Sequence, residues 1–325
     1  MRKPAFILLL FLIGNLTFGQ QLPLYSQYLY NKFLINPAVA GSDGYTSVNL
    51  TAREQWVGYY GAPRTVSFSM QTRVLKKSYI LKQTRGNRQV YRPKSDGKVG
   101  LGGYIFSDKN GLVQRTGFQA SYAYHTWLRN STQLSMGLAL TGYYYKINEK
   151  EINFEDPNEP LLNNNLRRGM FVPDVTFGAY LLNAKYSFGF SADQLFEASV
   201  KIGNYAYKNF KMSRHYYLFG SYNFSSGNYI EIQPAFLLMM SEQLKPQADI
   251  GVTYIYNQDF WAGLAFRTSG ALIASLGVKY NNIFIGYAFD FTLQEIQRIT
   301  YGTHEITLAL KFGDNARRYR WLDRY

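Results

Sequence analysis

The chain contains no cysteine, which excludes disulfides, thiolate metal sites and a lipid-modified N-terminal cysteine. Charge is also scarce: Asp, Glu, Lys and Arg together make up 17% of the residues, against roughly 25% in an ordinary soluble domain. A long uncharged apolar run occurs only at Ala5 to Leu16, about a dozen residues against the 18 to 20 a helix needs to cross a bilayer. Arg2 and Lys3 precede this run and Thr17-Phe18-Gly19 follows it, the layout of a cleaved secretory signal over residues 1–19. No later stretch could serve as a spanning helix.

Catalytic signatures are missing too. G-x-S-x-G, H-x-x-x-H and a glycine-lysine phosphate loop are all absent. His125, His215 and His304 fall on three different expected strands. His304 and Glu305 are strand neighbours whose side chains point to opposite faces, so they cannot share one acid–base site. Both are expected to be structural or rim residues. No catalytic residue, cofactor or metal is assigned; a barrel hydrolase would need a Ser/His pair brought together at a rim.

What the chain does have is aromatic residues and glycine: 29 Tyr, 23 Phe and 28 Gly, with aromatics at 17%. Few charges and an export signal, combined with this enrichment, point to an outer-membrane β-barrel, whose strands alternate lipid-facing and lumen-facing residues and whose rims carry aromatic girdles. A secreted β-sandwich is the competing all-β fold, but it offers no interface for so many tyrosines. Alternation is plain in Leu134–Thr141, Phe260–Arg267, Ile283–Phe291 and Ile306–Phe312. The fold class expected is therefore all-β: a transmembrane antiparallel barrel of about 14 strands. The strands fall near 44–54, 64–74, 98–107, 112–128, 132–146, 173–182, 184–192, 210–224, 227–239, 245–256, 259–268, 271–280, 282–294 and 302–313.

Connection lengths set the orientation. Asn130-Ser131, Leu182-Asn183, Ser225-Ser226-Gly227, Asn257-Gln258 and Asn281 read as tight turns, and 147–172, 193–209 and 293–301 as longer loops on the other rim. Short turns and both chain ends belong to the periplasmic rim. The expected organisation is a signal at 1–19, an N-terminal plug or rim segment at 20–43, a barrel at 44–313 and a basic tail at 314–325. Two basic stretches share the periplasmic rim, one with Lys76, Lys77, Arg85, Arg88 and Arg92, the other with Arg317, Arg318 and Arg320. They account for much of the net charge of +14. Each is either a solvated surface or a contact for an anionic periplasmic partner; nucleic acid is not a partner that an exported barrel ordinarily meets. The loop Glu149–Glu159 is rich in oxygen donors but lacks the acidic spacing and glycine of a calcium loop, so a solvated loop is preferred. Ser107–Gly111 reads as a turn.

Residues 25–44 are too aromatic for a linker. Tyr25, Gln27, Tyr28, Asn31 and Phe33 precede Asn36-Pro37. Ser26 is expected to cap a short helix with Tyr28, Leu29 and Phe33 on one stripe, ended at Asn36-Pro37. Such a segment would fold against the periplasmic mouth or into the lumen.

The motifs taken together resemble a known family. Ser26-Gln27-Tyr28, Asn31, Asn36-Pro37-Ala38, Ala40-Gly41, Arg53-x-Gln55-Trp56 and Gly61-Ala62-Pro63-x-Thr65 are similar to the opening of the PorP/SprF outer-membrane proteins. Gly102-Gly103-Tyr104 with Asp108, Ser121–Tyr124, Phe177–Tyr180, Gly189–Ser191, Phe260-Trp261-x-Gly263, Gly286-Tyr287-x-x-Asp290 and Gly302–Ile306 extend the resemblance along the mature chain. It implies a place in the type IX secretion and gliding system of Bacteroidota. The implied partners are a secreted surface adhesin bearing a type IX C-terminal domain and periplasmic or lipoprotein components of the machinery, with outer-membrane lipid around the barrel. Gln55 and Trp56 join the N-terminal residues and the basic stretches as candidate partner contacts. Val39 stands where the family often has an aromatic, and the basic tail continues past Phe312, where many barrels end. A transporter with an N-terminal hatch is the alternative. The small residues Ser135, Gly137, Ala139, Thr141, Gly286 and Ala288 suggest a roomy lumen without the rings of charge a selective pore would want.

Overall fold

The computed structural model describes residues 24–74, 82–85, 88–91, 98–128, 132–147, 170–196, 199–200, 210–211, 213–226, 229–242 and 245–312. The signal, most of both basic stretches and the acidic loop 149–159 lie outside the described residues.

Alternating sequence becomes alternating exposure. In Arg64–Val74 the side chains of Thr65, Ser67, Ser69, Gln71 and Arg73 are buried, while Val66, Phe68, Met70 and Val74 are exposed. A strand with small polar residues on one face and large apolar ones on the other suits a wall between lumen and lipid. Fourteen such strands form the wall: β1 Thr46–Glu54, β2 Arg64–Val74, β3 Val99–Asn110, β4 Val113–Trp127, β5 Gln133–Ile147, β6 Met170–Leu182, β7 Tyr186–Asp193, β8 His215–Tyr222, β9 Ile230–Ser241, β10 Gln247–Tyr256, β11 Phe260–Arg267, β12 Ala271–Tyr280, β13 Ile283–Thr292 and β14 Thr303–Phe312. Each pairs antiparallel with its sequence neighbour, Phe224–Ser226 prolongs the β8 side, and β1 pairs with β14 from Thr46↔Phe312 to Glu54↔His304. Closure removes the sheet edges, whose unpaired amides lipid cannot satisfy. Two short ladders, Lys82–Arg85 with Arg88–Tyr91 and Ser199–Val200 with Phe210–Lys211, lie outside this sheet.

Strand direction assigns each connection to a rim. Asn281 and Asn257-Gln258, all at positive φ, turn the chain at the rim that holds both ends of the barrel, and Gly111 and Gly270 turn it at the opposite rim. By the short-turn rule the first of these rims is periplasmic. Exposed aromatics gather at both: Tyr222, Phe224, Tyr229, Tyr256 and Tyr280 near the ends, and Tyr59, Tyr60, Tyr144, Phe171 and Tyr301 opposite. This is the distribution of interfacial girdles.

The apolar core lies inside the ring of strands. Its members are Tyr28, Phe33, Ile35, Ala38, Val39 and Ala40 from the N-terminal stretch, packed with inward-facing Ala123, Tyr180, Leu182, Tyr217, Phe219 and Leu237.

Two local expectations are corrected. Residues 26–30 form turns and the segment continues as two 3-10 turns, Lys32–Leu34 and Pro37–Val39, rather than one helix. Ser26 caps nothing; its N–H and hydroxyl donate to Glu305 and Asp290 of the wall. Pro37 opens the second turn instead of merely ending the first, its fixed φ suiting a first helical position, and the Asn36 side chain accepts the Ala38 N–H. Asp108, expected in a turn, belongs to β3 and is buried; the turn itself falls at Gly111.

Candidate functional site

The wall strands converge on the stretch from Leu24 to Gly44. Asn36 is fully buried, and its amide nitrogen donates to the carbonyls of Ala179 at 3.0 Å and Phe190 at 3.1 Å, register partners on β6 and β7. Such an approach needs a wall residue with no side chain. A Cβ on Gly178 would stand 2.0 Å from Asn36 Oδ1, and one on Gly137 would stand 2.4 Å from the Ala38 nitrogen. Gly100 does the same for Ala40, whose carbonyl oxygen lies 2.9 Å from His125 Nε2. Gly137, read from sequence as lumen space, is thus a seat for this backbone, as are Gly178 and Gly100. Ser191 Oγ donates to the Ile35 carbonyl at 2.5 Å, and Gln133 Nε2 to that of Ser42 at 3.1 Å.

An ionic cluster holds the start of the segment. Arg53 of β1 donates to Asp290 of β13 at 2.8 Å and to Glu305 of β14 at 3.0 Å, and Arg267 of β11 bonds Asp249 of β10 at 2.7 Å and Asp290 at 3.1 Å. All five side chains are buried. Glu305 accepts the backbone N–H groups of Ser26 and Gln27, each at 2.8 Å. Ser26 Oγ donates to Asp290 at 2.7 Å and accepts from Arg53 Nη1 at 2.7 Å. A second pair, Arg115 to Asp108 at 2.6 Å, takes the Thr65 hydroxyl at 2.7 Å. The expectation of a lumen without charge is therefore corrected. Charges are present, but in these two groups they are bonded to one another rather than arrayed as a ring, because a buried unpaired ion is far more costly than a paired one.

Toward the rim with the chain ends, Tyr30 stacks on inward-facing Trp261 with centroids 4.6 Å apart. They border a cavity of about 90 Å³ that Phe284 and Lys279 also line. Lys32 is buried, its Nζ 3.1 Å from Ser187 Oγ and 3.5 Å from Tyr180 Oη. Burial, with Lys311 nearby, pulls its pKa down to about 7. Burial also pushes the hydroxyls of Tyr25, Tyr28 and Tyr30 well above their ordinary value, so all three stay neutral.

The structure gathers Tyr25, Gln27, Tyr28, Asn31, Phe33, Asn36, Pro37 and Glu305 in one place. Gln55 and Trp56 lie elsewhere, at the opposite rim, where the Trp56 N–H donates to Thr303 Oγ1 at 3.2 Å. His304 faces outward, 2.7 Å from the Tyr287 hydroxyl. Arg85 and Arg88 belong to the short ladder beyond the wall. Lys76, Lys77, Arg92, Arg317, Arg318 and Arg320 lie outside the described residues. Sequence reasoning assigned no role to Arg53, Asp249, Arg267, Asp290 or Lys32, although Arg53 and Asp290 stood within the quoted motifs. Among the described residues no cluster of His, Asp and Glu has the makings of a metal site.

The family described as type IX secretion system membrane protein PorP/SprF matches residues 17–310. The chain belongs to the PorP/SprF family. It is an outer-membrane β-barrel protein of the type IX secretion system. No curated protein matches this PorP/SprF member significantly. Solved barrels resemble it only loosely. The toluene transporter TbuX of Ralstonia pickettii is 14% identical with a TM-score of 0.43, over 86% of this chain and 92% of that one. The outer membrane protein Omp33 of Acinetobacter baumannii is 8% identical with a TM-score of 0.42, over 84% of this chain and 100% of that one. CdiB from Acinetobacter baumannii is 6% identical with a TM-score of 0.37, over 82% of this chain and 60% of that one. Likeness at this level carries no functional argument.

Proposed function

We propose that this PorP/SprF barrel is a docking component rather than a diffusive pore or an enzyme: it holds a secreted surface adhesin for export or attachment and contacts periplasmic machinery, with residues 24–44 as a lumen plug. The observation that carries this reading is the seating of Asn36, Pro37 and Ala38 on Gly178 and Gly137. A solute path would be spoiled by polypeptide wedged on backbone, whereas a docking barrel gains stiffness and two shaped mouths from it. Family membership supports the adhesin, bearing a type IX C-terminal domain, and the periplasmic or lipoprotein components as the partner classes. The basic stretches on the chain-end rim supply charge for an anionic periplasmic surface.

The test is isolation of the tagged protein from its native outer membrane, followed by mass spectrometry, for the intact chain and for one lacking residues 21–42. The intact chain should bring down a surface protein and a periplasmic component in stoichiometric amount. Recovery of the intact barrel alone would overturn the docking reading. A deleted form that inserts and keeps its partners would overturn the plug's part in it.

A further inference from the structure

A second cavity, of about 60 Å³, lies on the other side of the segment, in the half of the barrel away from the chain ends. Its walls are aromatic: Tyr25, Tyr104, Phe106, Tyr143 and Tyr217. Phe106 lies 5.8 Å from Tyr104 and 6.3 Å from Tyr143, ring to ring, at tilts of 54° and 55°. Asp174 of β6 and Asp193 of β7 also line the space. Asp174 is only 2% exposed. Its Oδ1 accepts the N–H groups of Val175 at 2.7 Å and Phe196 at 3.0 Å, whereas its Oδ2 has no partner among the described residues. Asp193 Oδ1 takes the Thr176 hydroxyl and the Gln194 N–H. Arg115 reaches the same space, but its Nε and Nη2 are bonded to Asp108 Oδ2 at 3.1 and 2.6 Å, so that pair adds no net charge.

Two carboxylates in an aromatic enclosure ask for a particular guest. A buried carboxylate oxygen without a hydrogen-bond donor is costly, and tyrosine and phenylalanine faces attract cations through their quadrupoles. The volume holds about four to six water-sized positions, the bulk of a charged head with a few methylenes. We propose that this cavity binds a single organic cation, a primary ammonium or a guanidinium, with Asp174 Oδ2 as its hydrogen-bond acceptor, Asp193 as second counter-charge and the tyrosines as its cage. The site is defined by its walls and does not depend on the docking reading. The cation can come from a Lys or Arg side chain of a polypeptide or from a free amine.

The full-length protein in detergent micelles is titrated with n-butylammonium and propylguanidinium, and with the neutral analogues n-butanol and propylurea, by saturation-transfer NMR. The cations should bind and the neutral analogues should fail at tenfold higher concentration. Asp174→Asn keeps the Oδ1 acceptor for Val175 and Phe196 and removes the charge; it should weaken cation binding at least tenfold. Tyr143→Leu, which leaves both carboxylates in place, should weaken it as well and serves if the Asp174 variant does not fold. Folding is checked by the mobility difference between heated and unheated protein on a gel. Equal binding of cations and neutral analogues, or unchanged binding in a folded variant, would overturn the proposal. A lysine-containing peptide that displaces butylammonium, while its norleucine counterpart does not, identifies a polypeptide source; butylammonium binding that neither peptide disturbs identifies a free amine, and either result sustains the site.

Discussion

Gln27 grips Glu305 twice: its backbone N–H donates to the Glu305 carboxylate at 2.8 Å, and its side-chain amide donates to the Glu305 carbonyl at 3.1 Å. Glu305 is at the same time bonded to Arg53. Replacing it with alanine removes one partner of a buried ion pair and both acceptors of the Ser26 and Gln27 amides, a loss of about 3–5 kcal/mol. Glu305→Ala should therefore lower the temperature at which the unheated gel form is lost, by more than Glu305→Gln, which still offers a carbonyl oxygen.

Gly137 and Gly178 should be irreplaceable for the segment but not for the wall. Gly137→Leu and Gly178→Leu each place a side chain where Ala38 or Asn36 now sits. The barrel should still insert, with Lys32 newly open to trypsin; Ala120→Leu, on the lipid-facing side of β4, should leave Lys32 protected. Cleavage after Lys32 in the wild-type protein would contradict the buried position of that residue.

Lumen occupancy has an electrical readout. The intact protein in planar bilayers should conduct poorly, and removal of residues 21–42 should raise single-channel conductance at least severalfold, since the lumen of a 14-stranded barrel is then wide enough for water. A large conductance in the intact chain would favour the hatch reading.

Lys32 gives the segment a pH dependence. Its pKa is pulled from the ordinary 10.5 to about 7 in the docked state, by burial and then by Lys311, which itself lies 3.5 Å from Asp43. An undocked lysine holds its proton through that interval and the docked one does not. Docking is therefore least favoured below about pH 7 and strengthens as pH rises toward about 10. The temperature at which the unheated gel form is lost should rise across this window, and Lys32→Met should flatten the trend.

The strands were legible because several obey period 2 over eight or more residues, as Arg64–Val74 does, and because tight Asn- and Gly-containing turns separate them. Exposure of Phe68, Met70, Leu138 and Leu140 against burial of Ser67, Ser69, Ala139 and Ser135 is what that alternation predicts. The stickiness of residues 25–44 was legible too, as was the inability of His304 and Glu305 to act together. The ionic cluster was not. Arg53, Asp249, Arg267, Asp290 and Glu305 come one from each of five strands, spread over more than 250 positions, and a linear pattern does not show that closure brings them to one level. Small residues on the inner face signalled space; what fills the space depends on register, which sequence alternation leaves open.

Glu305 belongs to the final strand of the barrel, and the residues it secures, Ser26 and Gln27, precede the first. Until β14 meets β1, the backbone N–H groups of Ser26 and Gln27 have no carboxylate to bind, and the Ser26 hydroxyl and Arg53 have only Asp290. The order of synthesis is thus inverted in the order of locking: two amides near the start of the chain gain their carboxylate only from its last strand.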